Sequence, residues 1–132
     1  MKLDINLFGG RGASSSNINN TSITTIETIN YNGAIFKSKY IRDNKTKQVM
    51  AQLDYEINNN ETIVRMIRTY NEFKRQGNAT KLLKDLQKEV GDKDINFDLV
   101  TKDGKALLDK IANITEKKKG KYGGNYYKGR IK

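Results

Sequence analysis

The chain reads as an α+β, or mixed α/β, domain in which an antiparallel meander leads into a right-handed βαβ crossover, with flexible segments at both ends. Three observations predict this. Stretches between residues 34 and 70 alternate apolar and polar side chains and are divided by Asn- and Asp-rich turns. From residue 79 the apolar spacing changes to that of a helix. A further strand-like stretch then separates this helix from a second one, giving the order β-β-β-α-β-α.

Each element has its own signal. Ile23 to Tyr31 has mixed β-propensity, but Ile23, Ile26 and Ile29 recur every three residues, so strand and helix both remain open. Ala34 to Ile41 reads as a strand. Asp43-Asn44-Lys45-Thr46 makes a turn, and Gln48 to Ile57 alternates with Val49, Ala51, Leu53 and Tyr55 on one face. Asn58-Asn59-Asn60-Glu61 is a second turn before a strand from Ile63 to Tyr70. Ala79, Leu82, Leu83, Leu86 and Val90 then share one helical face, with Gly91 as the C-terminal stop. Ile95 to Val100 alternates as a strand, and Ala106, Leu107, Leu108 and Ile111 place a helix from about Gly104 to Ile114.

Composition narrows the chemistry. The 132 residues make one domain with one modest core. The chain has no Cys, which excludes disulfides and thiolate metal sites, and no His, which excludes imidazole catalysis and His-ligated zinc. Acid or base work must fall to Asp, Glu, Tyr, Lys or water, and no metal site is expected. No apolar run is long enough to span a bilayer, and the polar N-terminus is not a secretory signal, so the expected location is the cytoplasm.

The formal charge of +10 is concentrated at one end. From Glu116 onward seven Lys or Arg stand against one Glu, a net charge of about +6. This Gly-, Tyr- and Lys-rich stretch lacks apolar periodicity and is expected to be disordered on its own. It reads either as a solubilising terminus or as an arm for nucleic acid, with Tyr122, Tyr126 and Tyr127 available to stack on bases. At the other end, Leu3, Ile5 and Leu7 look like a short partner-binding strand, or a disordered leader, tethered by the run Gly9 to Ser16. The expected organisation is a flexible segment over 1–21, the domain over 22–115 and the basic tail over 116–132.

The segment that points most directly at a ligand is Phe73-Lys74-Arg75-Gln76-Gly77-Asn78-Ala79-Thr80-Lys81. It is a basic, Gly-containing turn between a strand and a helix N-terminus. Unpaired amides and the helix dipole converge there on an anion, although an ordinary basic turn has the same composition.

The element order together with this loop resembles the GNAT superfamily of N-acetyltransferases. The family's loop has Arg or Gln, two residues, Gly, one residue, then Gly or Ala; Lys74-Arg75-Gln76-Gly77-Asn78-Ala79 matches at Gly77 and Ala79, with Lys in first place. Ile67, Thr69 and Phe73 upstream, and Ala106 to Ile111 downstream, are also similar to the family pattern. The resemblance covers roughly Lys37 to Ile111. It implies acetyl-CoA as cosubstrate, with the pyrophosphate on Lys74, Arg75, Gln76, Gly77, Asn78, Ala79, Thr80 and Lys81, and the pantetheine arm along Ile67, Arg68 and Thr69. It further implies acetyl transfer to an amine of a protein or small molecule.

Departures from the family pattern accompany the match. Leu108 stands where many members have a Tyr that protonates the departing thiolate. The final two strands are expected to be missing, replaced by the basic tail, and so are the paired helices between the first two strands. Arg65 and Arg68 occupy the strand before the loop, and the nearest carboxylates, Glu56, Glu61 and Glu72, read either as a base acting through water or as solvated turn residues. A tail Tyr folding back is a possible acid. Separately, the string LFGGRGASS resembles a short segment recurring in proteins encoded among tailed-bacteriophage head genes, which implies a phage or prophage origin. The alternative function is therefore a non-catalytic member of this fold in a virion or at a host protein, its basic tail on nucleic acid or capsid. An open last strand would favour a homo-oligomer.

Overall fold

A computed structural model describes residues 20–29, 33–70, 72, 77–98, 100–119 and 124–132. Within them the chain forms β1 (Thr21–Ile29), β2 (Ile35–Asp43), β3 (Val49–Asn58), β4 (Glu61–Thr69), α1 (Asn78–Val90), β5 (Ile95–Phe97), α2 (Lys102–Ile111), β6 (Ala112–Lys119) and β7 (Asn125–Ile131). The strands build one seven-stranded sheet in the order β1-β2-β3-β4-β5-β7-β6. Every neighbouring pair is antiparallel except β4 and β5.

The expected meander is present and begins one strand earlier, because the ambiguous stretch from Ile23 lies, as far as Ile29, in β1, with Ile23 opposite Ile41 and Thr25 opposite Lys39. Local chemistry sets the turns. Asp43 Oδ1 accepts from the amides of Lys45 at 2.7 Å and Thr46 at 3.1 Å, closing the turn after β2. Asn59 and Asn60 both take positive φ, 52° and 67°, which is the two-residue hairpin geometry that suits Asn between twisted strands.

Two irregularities modify the alternation. Ile41 pairs with Ala51 and Arg42 with Val49, leaving Met50 as an extra residue in β3. Ala51, Leu53 and Tyr55 are buried as expected, but Met50 is buried and Val49 is only partly so, because the bulge resets the faces there. In β4 the extra residue is Arg65, between Val64 opposite Tyr55 and Met66 opposite Asp54.

One face of the sheet carries the core. Ile41, Leu53, Tyr55 and Val64 pack against Leu82, Leu83 and Leu86 of α1, and Leu108 of α2 joins the same cluster. Each such leucine contributes about 1.5–3 kcal/mol on burial, so packing holds α1 in place although no side chain caps its start. An ionic contact reinforces it. Lys39 is 2% exposed, and its Nζ lies 2.8 Å from Asp85 Oδ2 and 2.7 Å from Glu89 Oε1 of α1.

The C-terminal end overturns an expectation. The second helix stops at Ile111 rather than Ile114, since Ala112 is already extended (φ −127°, ψ 151°), and the stretch read as a disordered tail forms β6 and β7. β7 inserts between β5 and β6 and so pairs on both sides. Its inward residues Tyr127, Gly129 and Ile131 are buried, and Lys117 and Lys105 lie 5.8 and 5.4 Å from the Tyr127 ring centre. Gly129 is required by close approach: a Cβ there would lie 2.2 Å from the carbonyl oxygen of Asn113. Lys117, Lys118 and Lys119 are exposed on the outer strand, where charge discourages edge-to-edge association. The final two strands expected to be absent are therefore present. The link from Ile29 to Ile35 is too short for paired helices, as the sequence implies.

The N-terminal expectations for Met1 to Ser16 lie outside the described residues, as do Tyr122 and the basic residues Lys74 and Arg75. No helix among the described residues is long and apolar enough to cross a membrane. Among those residues there is also no cluster of metal-ligating side chains.

Candidate active site

The site begins where two parallel strands part. β4 and β5 pair only from Thr62 opposite Ile95 to Val64 opposite Phe97, with one further bond from the Asp98 amide to the Val64 carbonyl at 3.0 Å. Past this point β4 runs on to Thr69 with no strand partner on that side among the described residues. The cause is local: the Arg65 bulge twists β4 immediately after the last paired residue, and β5 is only three residues long. A cleft of about 150 Å³ opens in the gap, lined by Val64, Ile67, Phe97, Leu107 and Leu108 among others. Backbone amides of an unpaired strand segment beside an apolar wall can hold an extended ligand by main-chain hydrogen bonds.

β4 leads through the basic loop to the start of α1. Gly77 is the N-cap residue at φ 76°, a left-handed conformation that glycine adopts without Cβ strain. Among the described residues, nothing lies within 4 Å of where a Cβ on Gly77 would stand. No side chain caps the helix and no acidic residue lies in its first turn; the Lys81 amide bonds to the Gly77 carbonyl at 3.0 Å. An uncapped helix start with a nearby Lys suits a phosphate.

The sequence-predicted binding residues divide as follows. Ile67 lines the cleft, while exposed Arg68 and partly buried Thr69 continue β4 beyond it. Gly77, Asn78, Ala79, Thr80 and Lys81 form the cap and first turn of α1, with Asn78 buried. Lys74, Arg75 and Gln76 lie outside the described residues. Leu108, at the position where an acid was sought, is buried in the apolar wall.

The polar groups at the cleft come from elsewhere. Arg65 Nε donates to Glu56 Oε1 at 2.6 Å, and its Nη1 pairs with Asp98 Oδ2. Both carboxylates are well shielded, each side chain 7% exposed, against 44% for Arg65. Burial pulls the Arg65 guanidinium downward, but hydrogen bonding and the charges of Glu56 and Asp98 outweigh this and raise it above its ordinary value. Asp98 Oδ1 is buried without a donor in full hydrogen-bonding geometry among the described residues. The Tyr126 hydroxyl of β7 is drawn toward this carboxylate: hydrogen bonding to Asp98 first, then desolvation and the Asp98 charge, raise the phenol above its usual range. Arg65 and Asp98 line both the cleft and a second groove on the opposite sheet face, so the cluster sits where the two meet.

Glu56 is thus no solvated turn residue but a buried partner of Arg65, while Glu61 and Glu72 are exposed as expected. Asp98 and Tyr126 went unrecognised as a pair because they are distant in sequence. Only the β5–β7 pairing, with Phe97 opposite Tyr127, brings them together.

No protein-family model and no curated protein sequence matches the chain. Solved structures do. The ribosomal-protein-S18-alanine N-acetyltransferase from Escherichia coli superposes with a TM-score of 0.52 at 15% identity, over 71% of this chain and 66% of that one. This chain therefore spans slightly less than two thirds of that enzyme's length. An acetyltransferase-like protein from Agrobacterium tumefaciens matches with a TM-score of 0.51 at 13% identity, covering 98% of this chain and 97% of the other. These likenesses show the fold alone: this chain shares the mixed α+β sheet-and-helix arrangement of these acetyltransferase structures.

Proposed function

We propose that this protein is an acetyl-CoA-dependent N-acetyltransferase, and the observation that carries the reading is the parting of β4 and β5 at Val64 and Phe97. The apolar cleft there fits an extended thioester arm, and the uncapped α1 start at Gly77 fits its pyrophosphate. Ile67 and Leu108 supply the dry wall of the cleft, and Ala79, Thr80 and Lys81 the anion-facing turn. In such a transfer the amine nitrogen gains a bond to the acetyl carbon as the carbon–sulfur bond breaks; the nitrogen loses a proton and the sulfur gains one.

The chain's residues cover both proton tasks without histidine. Glu56 and Asp98 carry two carboxylates against the single charge of Arg65, so the cluster attracts an ammonium and can accept its proton. Tyr126 keeps the proton on its Oη through neutral pH as a phenol does, and from the second groove, which meets the cleft at Arg65 and Asp98, it is the group able to give one up. Positioning the two reactants supplies much of the acceleration in a direct transfer.

The test is release of free thiol from acetyl-CoA on addition of amine acceptors to the purified chain. Amine-dependent release supports the reading. Its absence across protein N-termini, lysines and small amines, with acetyl-CoA bound, favours instead a binding protein of this fold.

A further inference from the structure

We propose that the acceptor is an amine that also carries an acidic group, a carboxylate or a phosphate, and that Lys128 holds that group; this deepens the acetyl-transfer reading and rests on it. The location is the groove of about 200 Å³ on the sheet face away from the two helices, which meets the cofactor cleft at Arg65 and Asp98.

Strand register fixes what this face presents. One row across the sheet runs Ile63, Asn96, Lys128, Glu116, from successive pairings of β4, β5, β7 and β6. The next row runs Arg65, Asp98, Tyr126, Lys118, since side chains two residues apart share a face. The first row is the floor of the groove. The second is the proton-handling cluster, with Lys118 at its rim.

Charge pairing then singles out one cation. Arg65 is engaged by Glu56 and Asp98, Lys118 by Glu116 at 3.4 Å, and Arg130 by Asp94 at 2.8 Å. Lys128, partly buried in the middle of the groove, makes no ion pair among the described residues. An ammonium that makes no ion pair can take the anion of a ligand, even with Glu116 opposite it on β6 and Glu61 on the same groove. Lys128 and Tyr126 are separated by about 7 Å along β7, the rise of two strand residues. An acceptor whose acid and amine are a few bonds apart therefore places its acid on Lys128 and its amine toward Asp98. An acceptor with no acid leaves Lys128 without an ion-pair partner.

The experiment has two independent arms. In the first, O-phosphoethanolamine and γ-aminobutyrate are titrated by calorimetry into the protein without cofactor, beside ethanolamine and butylamine, in wild type and Lys128→Gln. In the second, acetyl-CoA affinity and the KM for each amine are measured. The proposal expects the acidic amines to bind and to show KM values about tenfold or more below those of their uncharged counterparts, an advantage lost in Lys128→Gln. The phosphate and carboxylate probes identify which acid is preferred. Normal acetyl-CoA binding with no preference for acidic amines overturns the acceptor assignment and leaves the transferase reading standing. Binding of acidic amines through Lys128 with no affinity for acetyl-CoA supports the anion site while removing the transferase reading. Equal binding of the acidic amines to wild type and Lys128→Gln overturns the role of Lys128.

Discussion

Arg65 Nε lies 2.6 Å from Glu56 Oε1, and the same guanidinium pairs with Asp98, so one bulged residue joins β3, β4 and the end of β5 at the point where the sheet parts. Removing the cation leaves two shielded carboxylates facing each other. Arg65→Gln is expected to lower stability by about 1–3 kcal/mol, less than a fully buried pair because Arg65 is partly exposed. Urea unfolding checks this, and a change within error of zero contradicts the central role given to Arg65.

Tyr126→Phe isolates the proposed proton donor. Amine-dependent thiol release should drop by about 10²-fold or more while acetyl-CoA affinity stays the same. In wild type the alkaline loss of activity should lie above the ordinary phenol value of 10.0, because the Asp98 carboxylate raises Tyr126, and Asp98→Asn should move that limb downward. An unchanged rate in Tyr126→Phe removes the assignment.

The Lys39 network sets the pH range of stability. Burial pushes Glu89 upward, but hydrogen bonds from Lys39 and Lys37 prevail and hold it below its usual 4.5, so this stabilisation is present above 4.5 and is lost as pH falls below it. Tyr55 is raised far above 10.0, first by burial and then by its hydrogen bond to Glu89, so its contribution is present below 10.0 and fades as pH rises beyond it. Melting temperature against pH should therefore be level between these limits and fall outside them. Lys39→Met should cost about 1–3 kcal/mol at neutral pH, its carboxylate partners being partly exposed.

Gly129→Ala tests the C-terminal hairpin. Its methyl would meet the Asn113 carbonyl oxygen at 2.2 Å and the Ile114 Cα at 2.9 Å, so backbone must shift. We expect a loss of about 1–3 kcal/mol, read by denaturant unfolding. A neutral substitution contradicts the close pairing of β6 and β7.

Strands β2 to β5 and the helix of Leu82, Leu83 and Leu86 were legible in the sequence, because period and turn residues are local signals; β1 was not, because Ile23, Ile26 and Ile29 recur every three residues. Gly91 marked the end of α1 and Asn59-Asn60 the hairpin for the same reason. The terminal hairpin was not legible. Its inward positions, Tyr127, Gly129 and Ile131, include a glycine where a hydrophobe is expected, and lysines dominate the edge strand, so composition mimics a disordered tail. Glu56 was misread for a related reason: its burial follows from pairing with Arg65, whose position depends on a bulge that no local pattern announces. The basic Gly-containing loop was visible as a motif, and Glu56 and a tail Tyr were visible as candidates; that Tyr126 meets Asp98 follows only from long-range register.

Calorimetric titration of acetyl-CoA into wild type and Gly77→Glu, with unfolding curves to confirm that both are folded, tests the central claim most directly. Nothing among the described residues crowds Gly77, so a side chain there disturbs little of their packing, yet it strains a residue at φ 76° and places a carboxylate at the anion-facing helix start. Saturable one-to-one binding to wild type, weakened about tenfold or more in the variant, is the predicted result. Equal affinity for both proteins, or no binding to either, contradicts the assignment of this cleft and helix start to acetyl-CoA.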